Sequence, residues 1–375
     1  MEKPFVYGKA VFGDNFTDRV KETKRLRMNF EAGVNTILIS PRRTGKTSLV
    51  YRAMEQISDP TIKFVNMDIY DCRDEYEFYD KFASAVILSL ASKTDQILDL
   101  VRAFLSRLTP KISFSTDPLS ELSLSLGIGP STPNPEEVLN LPEIIAQKKG
   151  IQIVVCIDEF QQIGEFENSL LVQKKARGIW QLQKRVSYCL FGSKKHMMEN
   201  IFTIKSMPFY QFGDMVQLQP IPNEEWIPYI VSRFASIGMT ISPFLAGEIC
   251  NRVECYSSYV QQLAWNVMIE AEREVKDEDL ENGYEMLILQ NASYFMQQIS
   301  GLTSYQMNYI KALAAGVHTG FSSLSVMAEY RMGSKSNISK IEKVLLSKEL
   351  IIKEKGRSEF ADPVFYAWFK KEYCK

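Results

Sequence analysis

The sequence predicts an α/β fold, a parallel sheet of about five strands covered by helices, continued by an all-α region and closed by a winged helix-turn-helix. Three observations predict it. Residues 36–49, Thr-Ile-Leu-Ile-Ser-Pro-Arg-Arg-Thr-Gly-Lys-Thr-Ser-Leu, run as a short apolar strand into a loop and then a helix. Further on, Ile151-Gln-Ile-Val-Val-Cys-Ile-Asp158-Glu159 is an apolar run ending in two carboxylates. A strand so uniformly apolar is buried on both faces, as in a parallel sheet between helices. From residue 302 onward, three helical patterns precede two alternating segments joined at Lys355-Gly356-Arg357, the pattern of a helix-turn-helix with a wing.

Composition sets the limits. A chain of 375 residues with 45% apolar residues can build two or three packed domains. A net charge of −1 excludes a basic coat along the whole chain, so any nucleic-acid surface must be local. The six cysteines, at 72, 156, 189, 250, 255 and 374, form no C-x-x-C pair, and only His196 and His318 could join them. That pattern argues against zinc and for reduced thiols in a cytoplasmic protein. No run approaches eighteen apolar residues and no apolar leader follows Met1, so neither membrane spanning nor export is expected.

The first element is a turn feeding a helix over residues 11–30, with Val20, Leu26 and Phe30 at roughly helical spacing. Asp18 reads as an N-cap for it, with Glu22 in the following turn. The strand and loop at 36–49 come next. Against the phosphate-loop template G-x-x-x-x-G-K-[ST], Gly45, Lys46 and Thr47 match and Ser40 stands at the first glycine. Backbone N–H groups of such a loop and of the following helix wrap a β-phosphate, and Gly45 gives the backbone its freedom there. Candidate nucleotide contacts are therefore Ser40, Pro41, Arg42, Arg43, Thr44, Gly45, Lys46, Thr47 and Ser48. Lys46 places a cation at the β- and γ-phosphates, and the Thr47 hydroxyl ligates Mg²⁺.

A helix over 48–57 and a second strand over 62–70 follow, then a helix over 75–92 with Phe78, Phe82, Val86 and Leu90 on one face. Residues 93–140 break the rhythm. Pro110, Pro118, Pro130, Pro133 and Pro135 lie beside two alternating stretches, which predicts a β-hairpin insertion with a Pro/Ser tip. Helix returns over 136–149 and leads to the strand ending at Asp158 and Glu159. Asp158 is the second candidate Mg²⁺ ligand, and Glu159 is the candidate base that polarises the attacking water. A helix over 171–185 precedes a fourth strand over 187–193, whose end places Ser193 as a γ-phosphate sensor or as ordinary turn chemistry. A fifth strand over 215–218 is closed by Pro220 and Pro222.

These elements divide the chain into an ATPase domain over 1–220, a helical lid over 221–295 and a winged helix over 296–375. From 301 to the end there are twelve Lys/Arg against seven Asp/Glu. Lys335, Lys340 and Lys343 fall on the third helix and Lys353, Lys355 and Arg357 in the wing, where a DNA-binding version needs them. A solvated helix face is also rich in lysine, and that helix offers no arginine for bidentate base contacts. Phe365, Trp368 and Phe369 share one face of a final helix, which either closes the module's own core or docks it elsewhere.

Nearly the whole chain resembles the prokaryotic ATPases of the STAND branch of AAA+ proteins, often called archaeal-type ATPases. The residues that carry the resemblance are Ser40-Pro-Arg-Arg-Thr-Gly-Lys-Thr-Ser, Ile157-Asp-Glu-Phe-Gln-Gln, Leu190-Phe-Gly-Ser, Ser258-Tyr-Val-Gln-Gln-Leu-Ala-Trp and Asp362-Pro-Val-Phe-x-x-Trp368. The box Phe16-Thr-Asp-Arg19-x-x-Glu22 is similar to the segment that packs near adenine in such proteins. The resemblance implies an AAA+/ASCE-type P-loop fold with a helical lid and winged helix, ATP bound with Mg²⁺, and a slow ATPase acting as a nucleotide-controlled switch. Two departures limit it. Pro208-Phe-Tyr-Gln-Phe-Gly lacks the arginine of the usual P-L-Y-G-R, so no finger carries over to that position, and Ser257-Ser258-Tyr259 replaces H-P-Y or G-x-P. Arg42, Arg43 and Arg233 remain candidates for charge stabilisation. The partners to expect are ATP, a protein the sequence does not identify, and another copy of the chain. The competing readings are an ATP-dependent DNA binder or loader using the six basic residues, and a nucleotide-bound scaffold without hydrolysis.

Overall fold

The computed structural model describes residues 4–11, 13–90, 113–114, 124–125 and 135–374. They fall into two compact units, Phe12–Gln219 and a second made of Met1–Val11 with Pro220–Lys375.

The first unit is a doubly covered parallel sheet. Its strands are β1 (Thr36–Ile39), β2 (Ile62–Asp68), β5 (Gln152–Asp158), β6 (Val186–Gly192) and β7 (Asp214–Gln217), ordered β2-β5-β6-β1-β7. Between β2 and β5 in the chain, β3 (Ser113–Phe114) and β4 (Leu124–Ser125) pair antiparallel. That is the paired part of the expected hairpin; its Pro/Ser tip lies outside the described residues. Alternation along each strand sorts side chains onto two faces. Ile37 and Ile39, Ile153, Val155 and Ile157, and Tyr188 and Leu190 join one core, covered by the helices Glu75–Leu90, Pro135–Lys149, Ser169–Trp180 and Lys195–Phe202. Leu38, Val154, Cys156, Cys189 and Phe191 join the other, beneath the helices Val20–Glu31 and Lys46–Glu55.

Three local readings change. The first helix begins after Arg19, whose left-handed backbone (φ 62°) is the N-cap with no side-chain bond, so Asp18 is not the cap and Val20 is 73% exposed. The helix expected over 171–185 ends at Trp180, because Trp180 stacks on Tyr188 (centroids 4.0 Å apart) and the chain must turn to bring that tyrosine in. Gln183 secures the turn by accepting from the Tyr188 hydroxyl at 2.7 Å. The short helix Lys195–Phe202 was not expected at all; its buried Met198, Ile201 and Phe202 cap the same core.

The second unit is helical up to its wing. The helices are Asn223–Ser236, Pro243–Arg252, Ser257–Glu270 and Asp277–Ile299, then Ser304–Ala314, Leu324–Glu329 and Lys335–Ser347. β8 (Ile351–Glu354) and β9 (Arg357–Phe360) form the wing, turning through Lys355 and Gly356, both at positive φ, and Pro363–Tyr373 closes the chain. Caps set several starts: the Ser242 hydroxyl accepts from the Leu245 N–H, Thr303 and Gln306 form a capping box, and the Asp362 carboxylate accepts from the Val364 and Phe365 N–H groups. Gly283 lets two helices touch. A Cβ there would lie 2.9 Å from the Val267 backbone nitrogen, and Asn266, fully buried, donates to the Gly283 carbonyl at 3.3 Å. Phe5 packs on Phe234 with centroids 5.2 Å apart, holding the first residues in this unit. A single core runs from Phe5 to Phe369, and the helix Asp277–Ile299 passes unbroken through residues 295 and 296.

Candidate functional site

The site is built at the carboxyl ends of β1, β5 and β6, where open parallel sheets place their ligands. The chain leaves β1 at Ile39 and reaches the helix Lys46–Glu55 through a loop with left-handed backbone at Arg43 (φ 66°) and Gly45 (φ 88°). Ser40 is not at positive φ, so the first position of the motif needs no glycine here. Its buried hydroxyl meets the Thr44 hydroxyl across the loop, and Thr44 Oγ1 donates to the Pro41 carbonyl at 2.8 Å. Lys46 is buried, with Nζ donating to the Pro41 carbonyl at 3.3 Å. Arg42 is exposed, Pro41 and Arg43 half-buried, and Ser48 buried at the first turn of the helix.

Behind the loop lies a side chain from the segment before β1. Arg19 is 3% exposed and donates to the Thr44 carbonyl at 3.3 Å and to Glu22 Oε1 at 3.4 Å. Burial lowers its pKa, against the opposing pull of Glu22. Phe16 of the same box packs against the core behind β1, with the Arg52 guanidinium 5.9 Å from its ring centroid.

The acids arrive on β5. Asp158 Oδ2 accepts from the Thr47 hydroxyl at 2.9 Å, and Oδ1 accepts from the Glu159 N–H at 2.8 Å. Burial pushes the Asp158 carboxyl up to about 6, against those two hydrogen bonds, which favour the ion. A carboxylate facing a hydroxyl is a set of hard oxygen donors, and the burial penalty that raises the pKa is what a divalent cation would offset. Thr47 and Asp158 therefore fit Mg²⁺.

Glu159 sits in the left-handed region (φ 52°), which turns the chain into the 3₁₀ segment Phe160–Glu165. Its Oε2 accepts from the Ser193 hydroxyl at 2.9 Å and also from Gln161 Nε2. Ser193, just past the end of β6, thus meets Glu159, the candidate base. Gln161 and Gly192 lie in two of the segments that carry the resemblance, but the sequence reading gave neither a role. Gln161 is 1% exposed, and a Cβ on Gly192 would stand 1.9 Å from its Oε1. The only sequence signal was a glutamine just after Asp158-Glu159-Phe160, which gains meaning once β6 lies beside β5.

Arg233 belongs to the second unit, where its guanidinium lies 5.1 Å from the Tyr229 ring centroid. On the winged helix, Lys335, Lys340, Lys343, Lys353, Lys355 and Arg357 are all exposed, while Ile338, Ile341 and Leu345 of the same helix are buried. Lys353 donates to Glu342 at 2.6 Å, and Arg357 lies 3.5 Å from Glu359. Among the described residues, no helix is long and apolar enough to cross a membrane.

A family model described as a probable winged helix domain matches residues 293–371. No curated protein sequence matches the chain. Among solved structures, the Walker-type ATPase PABY2304 of Pyrococcus abyssi aligns with a TM-score of 0.71 at 15% identity, covering 98% of this chain and 100% of its own. The Aeropyrum pernix ORC2 protein, solved as ADPNP-ADP complexes, gives 0.56 at 12% identity, covering 96% of each chain. The Aeropyrum pernix ORC1 protein in complex with DNA gives 0.51 at 12% identity, covering 96% and 94%. At such identities the likeness is one of fold. The fold is the one shared with these structures, a five-stranded parallel α/β core, a helical region and a C-terminal winged helix. The expected fold class and the resemblance to that class are borne out at this level.

Proposed function

We propose that this chain binds ATP with Mg²⁺, hydrolyses it slowly, and acts as a nucleotide-controlled switch of the STAND/AAA+ type. The observation that carries the reading is the convergence of Thr47 with Asp158 at 2.9 Å and of Glu159 with Ser193 at 2.9 Å, beside a buried lysine on a phosphate-type loop. Bound Mg²⁺ would neutralise charge on the β- and γ-phosphates. Lys46 supplies a second cation to those oxygens, and the N–H groups of Thr44 to Ser48 receive the β-phosphate. Glu159 orients a water and takes its proton, and Ser193 is positioned to move from Glu159 to a γ-phosphate oxygen. A base held in place serves hydrolysis, which a scaffold would not need. The catalytic module is the unit Phe12–Gln219, and within the second unit residues 221–295 and 296–375 act as lid and winged helix on one shared core; the six free cysteines suit a reducing cytoplasm.

Two substitutions test the assignment by dividing the labour between neighbours. Glu159→Gln is expected to keep Mg-dependent ATP binding and lose about 10²-fold or more in turnover, the range for a positioned base. Asp158→Asn is expected to weaken Mg-dependent binding instead. Equal effects of both on affinity would overturn the assignment.

A second reading, ATP-dependent DNA binding, is favoured by the exposed Lys335, Lys340, Lys343 and Lys355 on one winged helix and by the fold shared with an ORC1 protein solved with DNA. A salt titration of the full chain on duplex DNA tests it. Phosphate contacts predict a steep fall in affinity with ionic strength, and no measurable binding at low salt rejects it.

A further inference from the structure

We propose that Gln161 is a positioning residue for Glu159, and that position 192 is glycine because Gln161 occupies the space of its side chain. The inference rests on the proposed hydrolysis and deepens it.

Gln161 is the second residue of the 3₁₀ segment, two positions after Glu159, and is 1% exposed. Its Nε2 donates to Glu159 Oε2, and the Ser193 hydroxyl donates to the same oxygen at 2.9 Å. Two donors on one oxygen hold that oxygen in place. Among the described residues no donor engages Oε1, which leaves that oxygen for a water. The backbone of Glu159 lies in the left-handed region, which local structure does not favour for a glutamate, so neighbours must hold its side chain in one direction.

The amide cannot serve equally well either way round. Flipped, it would set its oxygen against the Glu159 carboxylate. In the observed orientation its Oε1 is buried and finds no hydrogen-bond partner among the described residues. A buried amide that forgoes one bond while making the other to a candidate base is what a positioning role requires, since burial alone would favour an apolar side chain. Gly192 supports this from the adjacent strand. The Cβ that any other residue brings would lie 1.9 Å from Gln161 Oε1 and 2.9 Å from Met198 Sδ, both ends of flexible side chains. Alanine at 192 would therefore displace the amide while leaving β6 in place.

The test is a set of variants of the full chain: Gln161→Leu, Gly192→Ala, Glu159→Gln, and Gln161→Leu combined with Glu159→Gln. ATP affinity, single-turnover hydrolysis and thermal midpoint are measured for each. Gln161→Leu and Gly192→Ala are expected to keep ATP affinity and to lower the hydrolysis rate about tenfold to a hundredfold, the scale of a misplaced catalytic group. In the Glu159→Gln background, Gln161→Leu is expected to cost nothing further, because it acts through the missing carboxylate. A merely structural glutamine would lower the thermal midpoint and slow hydrolysis in both backgrounds alike, which overturns the inference. Unchanged hydrolysis in both Gln161→Leu and Gly192→Ala overturns it as well, while leaving the ATPase reading standing. A wild-type chain that binds ATP without hydrolysing it sinks that reading, and this inference with it.

Discussion

Trp368 and Phe295 lie with ring centroids 5.6 Å apart, the first on the closing helix Pro363–Tyr373 and the second near the end of the helix Asp277–Ile299. Phe365 and Phe369 share the face, as their spacing requires, and all three are at most 3% exposed. The aromatic face that the sequence left open to a docking role is thus a core. Trp368→Ala is expected to lower the stability of its unit by about 3–5 kcal/mol, the usual cost of truncating a buried aromatic. Leu324→Ala is the control, since Leu324 is 84% exposed and should change little. Scanning calorimetry of the full chain checks both, and a silent Trp368→Ala would contradict the packing.

Lys46→Ala is expected to abolish measurable ATP binding, because a buried cation at the loop is what offsets the phosphate charge in a water-poor site. Most of the core that holds the sheet lies on other residues, so the chain should stay folded. Isothermal titration with ATP and Mg²⁺ reads the first expectation and circular dichroism the second.

Acid should act on Asp214. Arg25 donates to both of its oxygens, at 2.8 and 2.5 Å, and Asn29 adds a third bond at 2.8 Å. The Arg25 hydrogen bond, with the smaller help of Asn29, holds the carboxyl below its usual value against partial burial. A depressed folded pKa means stability present above the unfolded value near ~3.9 and lost as pH falls through the folded one. Asp214→Asn should therefore be less stable than the wild type at pH 7, with the gap closing below about pH 4. Urea midpoints across that range give the answer; a gap that widens in acid would refute it.

How much could be read in advance follows from what each element depends on. The strands were legible because burial on both faces writes an apolar run such as Val154-Val155-Cys156, and the loop and acids because Gly45-Lys46-Thr47 and Asp158-Glu159 each fall within a few residues. Strand order was not legible, since parallel neighbours are joined through helices and no residue of β6 records that it lies between β5 and β1. For the same reason Gly192 gave no sign of Gln161. The end of the helix at Trp180 depended on a tyrosine eight positions on, and the start at Arg19 on a backbone that propensity does not favour.

The close approach at Gly283 has a practical side for anyone seeking a more heat-resistant chain. Gly178 in Ser169–Trp180 and Gly283 in Asp277–Ile299 both sit inside helices and look alike on paper. Replacing a helical glycine by alanine ordinarily gains about 0.5–1 kcal/mol. At Gly178 nothing stands within 4 Å of the added carbon, and that gain should be collected. At Gly283 the same carbon meets the backbone of Val267, which cannot step aside, so the helices must separate and the substitution should weaken the protein. Opposite shifts in melting temperature for the two alanine variants are the expected result, and an engineering rule that counts glycines without their neighbours would not tell the two apart.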